Sequence, residues 1–128
     1  ELQKTYRMSM IFISHNLASV QYVSDRVAVM YLGRIVEVAS SSQLYESPMH
    51  PYTQALIAAI PVPVPGRERK DRLSGEVPSP IHLPKGCAFH LRCPYATKLC
   101  EEGIPPLLER EPGHFVACRK YEKDGEKK

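Results

Sequence analysis

The first 47 residues of this 128-residue chain contain no proline, while all twelve prolines lie between Pro48 and Pro112. The chain therefore joins two different materials end to end. Long apolar runs are also missing: Met10 to Ile13 and Ala55 to Ile60 are the longest, far short of the roughly 18 to 20 residues a helix needs to cross a bilayer. The opening Glu-Leu-Gln-Lys lacks the basic start, apolar middle and small-residue cleavage site of a secretory signal. No Gly-x-x-x-x-Gly-Lys-Ser/Thr phosphate loop occurs, and no apolar strand ends in Asp-Glu to hold magnesium, so these residues alone cannot build a nucleotide site. Excess charge is scarce too. Residues 1–60 carry four basic and four acidic side chains, so the whole +3 lies in residues 61–128, and so small a surplus does not identify a nucleic-acid binder, which usually shows a much more basic face.

What is present reads in order along the chain. Glu1 to Met8 has the pattern of a helix end, with Leu2 and Tyr6 four apart. Ser9 to Ser14 is a continuous apolar, β-forming run, the pattern of a strand covered on both faces in a parallel sheet. His15 would then stand just past the carboxyl end of that strand, the rim where open α/β sheets bind ligands. Asn16 suits the cap of a helix over Leu17 to Val23. Arg26 to Tyr31 and Arg34 to Val38, joined at Leu32-Gly33, predict a β-hairpin. Ser40-Ser41-Ser42 offers caps for a short helix through Tyr45, and Pro51 to Ile60 predicts a further helix with proline in its first turn. His50, where the chain enters that helix, reads as a structural cap.

From Pro61 the pattern changes. Pro61-Val-Pro-Val-Pro65 favours an extended polyproline conformation, and Gly66 to Arg72 carries four basic and two acidic residues with no apolar side chain, as an exposed arm would. Short proline-punctuated segments with four cysteines follow, which a core of about 40 residues hardly stabilises without a covalent or metal staple. Tyr121 to Lys128 is a charged tail expected to fray.

The cysteines Cys87, Cys93, Cys100 and Cys118 are spaced C-x5-C-x6-C-x17-C, with no C-x2-C pair. With no export signal in these residues, the cysteines are expected to face a reducing compartment, where metal binding is commoner than persistent disulfides. Zinc is compatible with four thiolates but lacks its usual knuckle spacing here. An iron–sulfur cluster also takes four thiolates and accepts an irregular loop; two disulfides or free thiols remain a third reading. Lys85, Arg92, Lys98, Arg119 and Lys120 lie near the cysteines and could offset thiolate charge. His90 and His114 are substitute zinc ligands at most, and otherwise ordinary loop histidines.

Ile-Phe-Ile-Ser-His-Asn-Leu, followed by Ser-Asp-Arg-Val-Ala-Val-Met-Tyr-Leu-Gly-Arg-Ile-Val-Glu, closely resembles the switch-histidine segment and following hairpin of ABC-transporter ATPases, over residues 1 to about 40. The resemblance implies that His15 reaches the terminal phosphate of ATP in a dimer of ATP-binding subunits, helping to position the attacking water. Imidazole can donate to a phosphate oxygen, and phosphoryl transfer is catalysed mainly by such positioned groups. The family usually has aspartate after the histidine, where this chain has Asn16. Leu73-Ser74-Gly75-Glu76 has the look of the family's signature loop, but Val77-Pro78 follows directly where that loop opens a helix, so it is set aside.

Gln43-Leu-Tyr-Glu-Ser-Pro-Met-His-Pro-Tyr-Thr-Gln-Ala-Leu-Ile-Ala-Ala-Ile-Pro61, then Gly75-Glu-Val-Pro-Ser-Pro80, resembles the C-terminal extension of the oligopeptide and dipeptide importer ATPases. That likeness points to a 4Fe-4S cluster on Cys87, Cys93, Cys100 and Cys118, with zinc the lesser possibility, and to ATP and Mg in the parent protein. The implied organisation is an α+β fragment: residues 1–60 end an ABC ATPase α/β core, 61–85 form a proline-rich basic linker, and 86–128 form an irregular, cysteine-rich terminal domain. The implied function is that of the ATP-binding subunit powering peptide import. It would sit peripherally on the cytoplasmic face of the membrane, with permease subunits and a second ATP-binding subunit as partners and no nucleic acid. A free-standing cysteine-rich metal module for regulation or interaction is the alternative. Without parallel neighbours, Ser9 to Ser14 would leave uncovered edges, so self-association or altered pairing is expected.

Overall fold

The computed structural model describes residues 5–60, 78–79 and 81–122. Glu1 to Lys4, the proline-rich arm with the Leu73 to Glu76 stretch, and the tail beyond Glu122 lie outside the described residues.

Helix α1 (Leu17–Val23) starts where Asn16 takes an extended conformation and its side chain accepts from the Ser19 amide at 3.2 Å. One otherwise orphaned donor is thereby satisfied. Strand β1 (Arg26–Tyr31) alternates strictly, with Val27, Val29 and Tyr31 buried and their neighbours exposed. It turns through Leu32 and Gly33, whose φ angles of 45° and 77° are both positive, into β2 (Arg34–Ser40). Such two-residue turns match the twist of the flanking strands. Register slips at Val29/Met30, where Val29 pairs with Glu37 and Met30 with Ile35. The bulge leaves Val36 as the extra residue and puts two consecutive side chains, Val36 and Glu37, inside.

Ser40 ends β2 and caps α2 (Ser41–Glu46), its hydroxyl accepting from the Gln43 amide at 3.2 Å. Leu44, fully buried, anchors that helix to the sheet. His50 caps α3 (Pro51–Ala58) as expected, with Nδ1 accepting from the Tyr52 amide at 3.1 Å and Pro51 in the first turn.

The terminal region is more ordered than its sequence suggests. After the single-turn α4 (Leu99–Glu102), β3 (Leu108–Glu111) and β4 (His114–Val116) form a second hairpin around Gly113. Strand β4 pairs with β2 through Glu37↔Val116 and Val38↔Phe115, giving one antiparallel sheet of order β1-β2-β4-β3. The irregular extension expected for this region thus contributes two strands to the same sheet as the first hairpin. Phe89, from the cysteine loop, completes the core. Its ring, 1% exposed, lies 5.2 Å from Tyr31 and 5.5 Å from Tyr52, and it packs with Val20, Val27, Val29, Val36, Ala39 and Leu44.

One expected element is absent. Residues 9–14 belong to no strand and are exposed, Ile11 by 94% and Ile13 by 92%. The strand was expected between parallel neighbours, whereas every pairing among the described residues is antiparallel and none includes residues 9–14. No helix among the described residues is long and apolar enough to cross a membrane.

Candidate functional site

The cysteine loop is held at one narrow point. Gly86 has φ of 71°, and a Cβ there would stand 2.2 Å from the Cys100 carbonyl oxygen and 2.9 Å from that of Glu101. Only glycine lets the chain pass so close, and the approach allows the Cys87 amide to donate to the Cys100 carbonyl at 2.8 Å. Two cysteines thirteen positions apart are thus joined through their backbones. His90 Nδ1–H donates to the Cys87 carbonyl at 2.7 Å, tightening the turn toward Cys93.

All four thiols are free and share one neighbourhood. Burial, above all, pushes the Cys118 thiol up to about 11, and the fields of Cys93, Cys87 and Cys100 push the same way. Burial likewise raises Cys87 and Cys93, each of which also feels Cys100. Opposing this, backbone amides hydrogen-bond to the sulfurs in a repeated pattern: Phe89 and His90 at Cys87, Tyr95 at Cys93, and Lys120 at Cys118. Three times the amide two residues on serves the sulfur. Such hydrogen bonds stabilise thiolates and tune a bound metal centre. Unloaded, Cys87, Cys93 and Cys118 stay protonated at neutral pH, and a metal binding there must displace those protons. As placed, no group of three or more His, Cys, Asp or Glu side chains among the described residues could hold a metal ion. Four thiols are right in type and number for a thiolate-bound group, but as placed they do not come together around one.

His15 is exposed, immediately before the α1 cap. His114 departs from the sequence expectation. It is no loop histidine but a fully buried residue of β4, with Nε2 at 2.6 Å from Glu37 Oε1. Glu37, also fully buried, accepts in addition from the Met49 amide at 2.7 Å and the His50 amide at 2.9 Å. Its carboxylate ties the first hairpin, the entrance to α3 and the terminal hairpin together. Nearby, the Tyr121 hydroxyl donates to the Met49 carbonyl at 2.9 Å. Burial lowers His50 to about 4 despite the opposing pull of Glu37, so its ring is neutral and free to act as a cap. Sequence reasoning missed Glu37, although one acidic residue within Ile35-Val36-Glu37-Val38 was a signal, because only the bulge turns it inward.

This sheet, with a terminal hairpin and cysteine loop folded onto it, is the setting for a family match over residues 36–100, to the family described as "Oligopeptide/dipeptide transporter, C-terminal region". The chain belongs to that family. The oligopeptide transport ATP-binding protein AppF of Bacillus subtilis is 49% identical over 124 residues, covering 94% of this chain and 38% of AppF. "Probable peptide ABC transporter ATP-binding protein y4tS" of Sinorhizobium fredii is 54% identical over 119 residues, covering 92% of this chain and 34% of that protein. The chain thus spans little more than a third of the length of the curated relatives it matches.

Proposed function

We propose that this chain acts as the C-terminal part of an ATP-binding subunit that powers peptide import, with His15 as the switch histidine and the four cysteines as the ligands of a stapling cluster. The observation that carries the reading is the identity of about half the residues, spread over nearly the whole chain, to proteins named as peptide-transport ATP-binding subunits. In this reading the subunit lies on the cytoplasmic face of the membrane. It works with permease subunits and a second ATP-binding subunit, and ATP and Mg bind on residues other than these. His15 would donate to the terminal phosphate in the assembled dimer, where exposure in the isolated chain is what an interface histidine requires.

Cys87, Cys93, Cys100 and Cys118 would hold a 4Fe-4S cluster, with zinc the lesser alternative. The amides of Phe89, Tyr95 and Lys120 favour thiolates in either case. The group would supply a covalent link between the loop, α4 and the end of β4, a staple rather than an electron carrier. Two measurements test the reading. ATP hydrolysis by the full-length subunit should collapse in His15→Ala; an unchanged rate defeats the switch assignment. An anaerobic absorbance spectrum with iron, sulfide and zinc analysis should show a broad visible band and matching iron and sulfide, whereas zinc alone or no metal refutes the cluster.

A further inference from the structure

Of the five histidines, three have their rings committed within the fold. His50 Nδ1 accepts from the Tyr52 amide, His90 Nδ1 lies 2.7 Å from the Cys87 carbonyl oxygen, and His114 Nε2 lies 2.6 Å from Glu37. His82 is exposed in an irregular stretch. His15 reverses the pattern of the first three: its ring is exposed and meets no partner among the described residues, while the backbone around it is held. The Ser14 hydroxyl accepts from the Asn16 amide at 3.0 Å, closing a turn directly over His15. Asn16 in turn is tied to α1 twice, its side chain accepting from the Ser19 amide at 3.2 Å and its backbone carbonyl from the Val20 amide at 3.1 Å. These three bonds close within two to four residues. They are therefore independent of any neighbouring strand, and of whatever covers residues 9–14.

We infer that Ser14 and Asn16 are positioning residues for His15, fixing the direction in which its ring leaves the chain. This rests on the reading of His15 as the switch histidine. A side chain that must meet a phosphate oxygen held by another part of the assembly gains from a backbone already in place, because ordering that backbone on contact would draw on the same binding energy. Helix α1 is the rigid mount, Asn16 fastens the chain to it, and Ser14 locks the residue between. Both act only through His15.

The test measures ATP hydrolysis by the full-length subunit in the assembled transporter. Ser14→Ala removes the acceptor and should lower kcat about three- to tenfold, the worth of one net hydrogen bond, with KM for ATP and the urea midpoint unchanged. Ser14→Thr, which keeps the hydroxyl, should restore the rate. Asn16→Ala should lower kcat as well, and Asn16→Asp, which keeps a capping oxygen, should restore it. If Ser14→Ala fails to fold by circular dichroism, the two Asn16 variants carry the measurement. A Ser14→Ala rate equal to wild type overturns the positioning role, as does a fall that Ser14→Thr leaves in place or that comes with a lower urea midpoint; a collapse in His15→Ala would then leave the switch assignment standing. An unchanged rate in His15→Ala overturns the switch assignment, and the positioning role with it.

Discussion

The first hairpin and the cysteine loop reach order by opposite routes. In β1 every second side chain is buried, the two-residue turn matches the strand twist, and Ser40 passes the chain directly into α2. Order there is spread over many small, repeated contributions. The segment from Gly86 to Tyr121 has no such period ahead of its short hairpin, and apart from the pairing of β4 it is held at a few points: Gly86 against Cys100, Phe89 in the aromatic cluster, and His114 on Glu37. A structure pinned at few points fails abruptly when one is lost, whereas a periodic one weakens by increments.

Glu37→Ala offers the hardest test of that contrast. It leaves the buried His114 and the amides of Met49 and His50 without their acceptor. We expect a loss of about 3–5 kcal/mol by urea denaturation, the usual cost of removing one partner of a buried pair. A loss below 1 kcal/mol would mean that the two regions are not pinned there. Acid comes next. His50 lies at about 4 in the fold against 6.5 unfolded, so the unfolded chain binds the proton first and stability falls as pH drops. The contribution is intact above pH 6.5, with about 2 kcal/mol lost by pH 5 and about 3 kcal/mol by pH 4. Urea midpoints measured across that range check the slope, and the effect should shrink in His50→Asn, which keeps a capping side chain.

Gly86→Ala should act more locally. Strain at a positive φ together with the contact on the Cys100 carbonyl costs roughly 1–3 kcal/mol. On the proposed cluster reading, iron or zinc uptake should fall sharply while the hairpin amides keep their hydrogen-exchange protection. Uptake equal to wild type would show that the Cys87–Cys100 approach is dispensable. Asn16→Ala is the mildest, removing one cap from α1 for about 1 kcal/mol, with no effect on metal uptake.

The parts legible in sequence were those whose cause is local. Asn16, Ser40, His50 with Pro51, and Leu32-Gly33 each act within three or four residues, and each does what its residue type allows. The elements misread depend on distant partners. Met10 to Ile13 has a strand's composition, but pairing decides whether a strand forms, and no parallel neighbour lies among the described residues. Leu108 to Glu111 has one apolar residue followed by three charged ones and β4 has only three residues, so neither stood out until β2 supplied an edge. The four cysteines were evident in the sequence, whereas the backbone amides beside them and the Tyr95 seat of Lys120 belong to the folded loop.

The join between β2 and β4 reaches past the loop itself. Contacts across it, the Val38↔Phe115 and Glu37↔Val116 pairs, the Phe89 ring and the Gln43 amide on the Pro112 carbonyl, connect residues from either side of the segment between 60 and 78. Covalent continuity through that segment is therefore not what holds the halves together. A protease cut there would yield two peptides that stay associated, and two separately made pieces could find each other by completing one sheet, as complementing fragments do.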